Sequence, residues 1–236
     1  YCGRPDDVLT LAHEVGHAVH QTLSAPRGCL PSQPPLPLAE TASTFSERLA
    51  FREMLRRQHD PKRRRALLAD RIDGIIHTSY RQASLHRFEM RVYREREKGE
   101  VTPDRLAEMW IEEAESIYGP AIAFDDDYGP LWSDVPHFFE TPFYVWSYVY
   151  AECVSAALWD AAETNADGFE DAFIRMLEAG GAVPHTKLLA DLGADPSKRS
   201  FWRRGLLSVL PLIEEVEALS PGIAMPPRKG RKRRAA

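Results

Sequence analysis

The segment Thr10-Leu-Ala-His-Glu-Val-Gly-His-Ala-Val-His20 decides how the rest of this chain is read. Leu11, Val15 and Val19 recur at a spacing of four, the repeat of one helix face. His13 and His17 share that spacing, so on a helix their imidazoles project about one turn apart and can share one metal ion. Glu14 stands beside the first histidine, placed to take a proton from a metal-bound water. Neutral imidazole nitrogen suits zinc, and the ion lowers the pKa of its bound water toward about 7. A carboxylate then serves as general base and carries the proton to a leaving amine. On these residues alone two readings stand: a zinc centre with its base, or a structural helix with two histidines on one face.

Catalytic zinc takes three protein ligands and keeps a fourth position open. The candidate third ligand is Glu40, 23 positions after His17, in Ala39-Glu-Thr-Ala-Ser-Thr-Phe-Ser-Glu47. It opens the next expected helix, and a helix–loop–helix turn can return it to the histidines. Ser43 and Glu47 follow on the same face and can support the ligands. Glu40 also has a plainer reading, as an acid favoured at a helix start by the macrodipole. His20 completes His-x-x-His with His17, but it lies seven positions, about two turns, from His13. One ion hardly bridges two turns of a straight helix, so His20 is set aside as a ligand.

Outward from this segment the apolar pattern is helical almost throughout. A first helix is expected over Val8–Thr22. Five prolines between Ser24 and Pro37 forbid regular structure there. Helices follow over about Leu38–Gln58, from Asp60-Pro61 to about Lys98, and from Thr102-Pro103 to Gly119-Pro120. Ala121–Pro136 reads as an acidic loop, and Pro142 to about Asp160 as an aromatic helix. Two or three shorter helices come next, the last over about Phe201–Leu219. No strand pattern exceeds four residues, and the fold class expected is all-α. Lys62-Arg-Arg-Arg65 sits within an amphipathic pattern and reads as a solvated helix face.

At 44% hydrophobic and 28% charged, the 236 residues suit a soluble chain with a sizeable core. No apolar run approaches the roughly 20 residues of a membrane span, which excludes an integral membrane protein of that kind. The start, Tyr1-Cys2-Gly3-Arg4-Pro5, lacks the basic and apolar regions of a signal peptide, and it lacks Met. Cys2, Cys29 and Cys153 are too few for a disulfide scaffold, and no two have metal-ligand spacing. A reducing cytoplasm is the expected location. The net charge is −5, yet the last nine residues hold six Lys or Arg and no acid. The division expected is a catalytic part over 1–220 and a basic tail over 221–236. The tail reads as a solvated, disordered end, and nucleic-acid contact is the disfavoured alternative.

Several ordered segments together resemble the oligoendopeptidase F branch of the thimet-oligopeptidase-like zinc metallopeptidases. They begin with Thr10–His20 and Ala39–Glu47. Leu67–Glu89, with Arg71, Asp73-Gly74, Arg81-Gln82 and Phe88-Glu89, continues the likeness. So do Tyr128-Gly129, Pro136-His-Phe-Phe139, Pro142-Phe-Tyr-Val-Trp-Ser-Tyr148, Ala179-Gly-Gly181 and Leu188-Leu189 to Gly193. The resemblance covers about residues 3 to 219. The 22 residues between His17 and Glu40 argue against the aminopeptidase and thermolysin-like groups, whose glutamate lies nearer.

The resemblance implies a zincin-like helical metallopeptidase domain, truncated at its N-terminus. It implies one Zn2+ held by His13, His17 and Glu40, with Glu14 activating the water and short peptides as substrates. Donors to the oxyanion would be His137, Tyr144 and Tyr148. Phe139 and Trp146 stand where relatives often carry Tyr, and Phe cannot donate a hydrogen bond. In the family the N-terminal half forms the opposite wall of a deep channel and supplies the strand that pairs with substrate. Its absence would leave apolar surface exposed. The expected activity is therefore hydrolysis of internal bonds in short oligopeptides. The alternative is an inactive zinc-binding remnant, or one half of a split peptidase that needs a separate N-terminal half.

Overall fold

Proline in a first helical turn, preceded by an oxygen-bearing side chain, sets two of the helix starts. Asp60 accepts from the N–H groups of Lys62 and Arg63, and Thr102 accepts from that of Arg105. The computed structural model describes residues 1–164 and 167–220, and among them it contains helices and turns but no strand. The chain runs α1 (Pro5–Ser24), α2 (Leu36–Arg57), α3 (Pro61–Ile75), α4 (Gln82–Arg96) and α5 (Pro103–Tyr118). It continues through α6 (His137–Glu140), α7 (Trp146–Thr164), α8 (Phe169–Ala179), α9 (His185–Asp191), α10 (Arg199–Leu207) and α11 (Leu210–Ala218). The all-α expectation holds. The basic tail expected over 221–236 lies outside the described residues.

Five local expectations are corrected. The proline-rich stretch Ser24–Pro37 is not wholly irregular: it holds a 3-10 turn, Ala25–Arg27, and α2 begins within it at Leu36, because proline is tolerated in a first helical turn. The long helix after Asp60 is interrupted by a π-helical stretch, Ile76–Arg81, where the Tyr80 hydroxyl donates to the Leu206 carbonyl at 2.6 Å. A 3-10 turn, Gly119–Ala121, leads into the acidic loop, which itself contains a 3-10 segment, Asp126–Asp134. The aromatic helix starts at Trp146 rather than Pro142. Phe143 takes φ +61°, a conformation uncommon outside glycine, and its N–H donates to Glu89 Oε1 at 2.8 Å. Tyr144 therefore lies on a turn and Tyr148 in the first turn of α7. The single last helix is divided at Ser208 and Val209. Pro211 in the first turn of α11 has no N–H to continue the ladder of α10.

The helix α7 is the centre of the fold. Tyr150 to Leu158 are all buried, and Tyr150, Val154 and Leu158 pack with Leu38 and Phe45 of α2, Met176 and Leu177 of α8 and Phe201 of α10. A second cluster gathers Leu85 and Phe88 of α4, Met109 and Trp110 of α5, and Val145. Phe51, Leu67 and Leu68 form a third, covered by Leu212 and Val216 of α11.

The helix carrying His13 and His17 is fixed by a close crossing. A Cβ on Gly16 would stand 2.7 Å from Ser43 Cα and 2.8 Å from the Ala42 carbonyl oxygen, so only glycine lets α1 lie this near α2. The buried residues of α1 are Gly16, His20 and Ser24. The apolar stripe behaves differently: Leu11, Val15 and Val19 are 59%, 50% and 45% exposed. The proline-rich loop is held from the far side, where the Gly181 N–H donates to the Pro31 carbonyl at 2.7 Å. No helix among the described residues is long and apolar enough to cross a membrane.

Gly16→Ala is expected to lower stability by about 1–3 kcal/mol, the usual range for overpacking. A urea titration checks this. Helix propensity alone would instead stabilise by about 1 kcal/mol, and that result would contradict the close crossing.

Candidate metal centre

The crossing at Gly16 brings the start of α2 against the middle of α1. His13 Nε2 and His17 Nε2 stand 3.1 Å apart, with ring planes at 79°. Glu40 Oε2 lies 3.6 Å from the first nitrogen and 3.8 Å from the second. These three residues form a group that could hold a metal ion, their ligand atoms all within 4.8 Å of one another. All three are half-buried, so the ligand atoms remain reachable. The Ser43 hydroxyl lies 3.3 Å from Glu40 Oε2 and donates to the Glu40 carbonyl at 2.8 Å.

Behind the histidines runs a chain of charged groups. Glu47 Oε1 accepts from His13 Nδ1 at 2.6 Å, which directs the Nε2 lone pair at His17 and Glu40. That hydrogen bond is the main cause holding the His13 imidazole above its ordinary pKa, against burial, which pulls it down. Arg71 Nη1 donates to Glu47 Oε2 at 3.1 Å, and Arg71 Nη2 stands 3.6 Å from Glu152 Oε2. Arg48 Nη2 donates to Glu152 Oε1 at 2.5 Å. The imidazole of α1 is thus tied through α2 and α3 to Glu152 in buried α7.

The remaining sequence-predicted residues fall in two places. Glu14 is exposed on α1 beside the cluster, near enough for its charge to act on His13. His137, Tyr144 and Tyr148 form one group. The His137 and Tyr144 rings stack at 5.6 Å, and the Tyr148 ring stands edge-on to both, at 6.0 and 5.2 Å. The Tyr144 hydroxyl donates to Glu40 Oε1 at 3.2 Å, which joins this group to the His13–His17–Glu40 cluster. Tyr148 Oη lies 3.4 Å from His137 Nε2, at the outer limit of a hydrogen bond. Burial first, and then the Glu40 charge, push the Tyr144 phenol up, so it keeps its proton at neutral pH. Phe139 and Trp146 are exposed. His20 is not part of the cluster. It is buried, neither ring nitrogen has a hydrogen-bond partner, and burial holds its pKa at about 4.

Sequence reasoning named Glu47 as support but missed Arg71, Glu152 and Arg48 as its continuation. The signal was faint. Glu152 sits in the apolar stretch Tyr150–Leu158 of its helix, where the one acid asks for a buried cation, but nothing in the spacing says which arginine supplies it.

An all-helical frame that sets two imidazoles and a carboxylate of adjoining helices around one point has the architecture of a helical metallopeptidase domain. The chain belongs to peptidase family M3, whose sequence profile matches residues 4–207. It is 29% identical over 226 residues to the chromosomal oligoendopeptidase F of Lactococcus lactis subsp. cremoris, covering 92% of this chain and 36% of that protein. It is 28% identical over 192 residues to oligopeptidase PepF of Bacillus subtilis (strain 168), covering 80% of this chain and 28% of that one. The crystal structure of oligoendopeptidase-F from Enterococcus faecium superposes with a TM-score of 0.77 at 26% identity, covering 91% of this chain and 39% of that chain. The chain thus spans about a third of the length of the curated relatives it matches.

Glu47→Gln is expected to weaken metal binding by about 10–100-fold, the usual cost of losing a partner behind a ligand histidine. Competition against a chromogenic zinc chelator measures it. Unchanged affinity in folded protein would show that Glu47 does not orient His13.

Proposed function

We propose that this chain carries the zinc centre of a metalloendopeptidase that hydrolyses internal bonds of short peptides. The observation that supports it most is the convergence of His13 Nε2, His17 Nε2 and Glu40 Oε2. Tetrahedral zinc at about 2.0–2.2 Å from each donor needs donors roughly 3.3–3.6 Å apart. The spacings of 3.1, 3.6 and 3.8 Å straddle that range, within a few tenths of an ångström at either end. The donor set suits it too, because Glu47 occupies His13 Nδ1 and leaves Nε2 for the ion. When bound, zinc supplies a Lewis acid that polarises the peptide carbonyl and acidifies the attacking water.

The chain's own residues supply the rest. Glu14, exposed beside His13, takes the water's proton on its carboxylate and passes it to the leaving amine. Tyr144 keeps its phenolic proton and can turn it from Glu40 to the developing oxyanion. His137 and Tyr148, packed on Tyr144, hold its ring and offer further donors. Phe139 supplies surface but no proton. The three free thiols fit a reducing cytoplasm as the place of action.

The exposed stripe of Leu11, Val15 and Val19 supports a second reading. In it, another segment or polypeptide covers that face and completes the substrate cleft, and the described part alone binds zinc without turnover.

Glu14→Gln should keep one zinc per chain and lose roughly 10²–10⁴-fold in hydrolysis of a short quenched fluorescent peptide. Hydrolysis unchanged in the variant would remove Glu14 from the reaction. Zinc without hydrolysis in the parent chain would favour the second reading.

A further inference from the structure

Next to the His137–Tyr144 group lies a cavity of about 320 Å³ that none of the roles above uses. Its walls are Phe88 and Val92 of α4, Leu106 of α5, Trp132 of the 3-10 segment Asp126–Asp134, and Phe138 and Phe139 of α6. Phe88 packs against Trp132 at 6.3 Å and against Phe138 at 5.4 Å, so it links the aromatic wall. Phe139 and Tyr93, which also line the cavity, are exposed. One acid lies among these residues. Glu89 is 3% exposed, its Oε1 accepts the Phe143 N–H, and its buried Oε2 has no hydrogen-bond partner.

A buried carboxylate oxygen without a partner bears its full desolvation penalty, so the cavity is incomplete as it stands. A purely apolar occupant would fill the walls and leave Oε2 unpaired. An acidic occupant would be repelled. A basic side chain meets both demands: its methylene stem lies along the aromatic wall and its cationic head reaches the carboxylate. Arg96 also lines the cavity, but it is exposed and gives Oε2 no hydrogen bond.

We propose that this cavity is a recognition site for a lysine or arginine side chain of the peptide substrate, with Glu89 as the charge partner. The inference rests on the peptidase reading for the identity of its occupant. The chain connectivity places it suitably. Phe138 directly follows His137, and Glu89 pins Phe143, the residue before Tyr144. The cavity wall thus adjoins, along the chain, the His137–Tyr144 group that would hold the peptide. Burial pushes the Glu89 carboxyl up, the Phe143 hydrogen bond and the histidines His86 and His137 draw it back, and an entering cation favours its charged form further.

The test is ligand-observed NMR titration with N-acetyl-arginine amide, its neutral isostere N-acetyl-citrulline amide, and N-acetyl-norleucine amide. The parent chain should bind the arginine probe at least tenfold more tightly than either neutral probe. Glu89→Gln keeps an acceptor for the Phe143 N–H but loses the charge, and it should abolish that preference. Phe139→Ala, at an exposed position, should weaken the arginine probe several-fold, and it serves if the Glu89 variant does not fold. Arg96→Ala should leave the preference intact. Equal binding of arginine and citrulline, or an arginine preference that survives Glu89→Gln, would overturn the proposal. Binding is read without turnover, so an absence of peptide hydrolysis strikes the peptidase reading alone. Loss of the preference with hydrolysis intact strikes the cavity alone.

Discussion

The close crossing of α1 over α2 at Gly16 is the constraint on which the site depends. A carboxylate 23 positions from a histidine meets it only if the two helices approach to backbone contact, and the missing Cβ of Gly16 allows that. The proline-rich loop makes the return, and the glycines after α8 let it lie flat against the C-terminal part of the chain. One glycine placed between the two histidines thus sets both the helix packing and the spacing of the three candidate ligand atoms. Any wider crossing would separate Glu40 from the imidazoles before it disturbed either helix.

The second determinant is the charge relay from His13 to Glu47, Arg71, Glu152 and Arg48. Its inner end lies in α7, where Glu152 is 3% exposed. Removing one member of such a buried set leaves an uncompensated charge, at a cost of about 3–5 kcal/mol. The set is therefore held together by the same burial that makes it costly. It fixes the ring of His13 from behind, while Tyr144 holds Glu40 from the opposite side. His13 and Glu40 are thus held by partners on separate elements, Glu47 of α2 and Tyr144 of the turn before α7, which keeps the candidate ligand atoms together.

Much of this was legible in the sequence, because helix periodicity is strong and the histidine spacing has a simple geometric meaning. The proline-capped starts at Pro61 and Pro103 could be read from residue types alone, whereas the return of Glu40 to the histidines rested on the family resemblance, because a helix-start acid was the plainer reading of Glu40 by itself. Other features depend on tertiary partners. The π stretch at Ile76–Arg81 and the late start of α7 follow from contacts made by Tyr80 and Glu89 with distant segments. The stripe of Leu11, Val15 and Val19 has the period of a core face yet faces outward, while Gly16, His20 and Ser24 are buried in its place. Periodicity shows that a face is apolar. It does not say which neighbour covers it.

Zinc uptake by the parent chain and by Glu40→Ala tests the central claim most directly, with metal counted per folded chain after dialysis. One ion per parent chain is expected, with at least a hundredfold weaker uptake in the variant. Folded parent protein without stoichiometric zinc, or a Glu40→Ala variant that binds as tightly as the parent, would contradict the assignment of this metal centre.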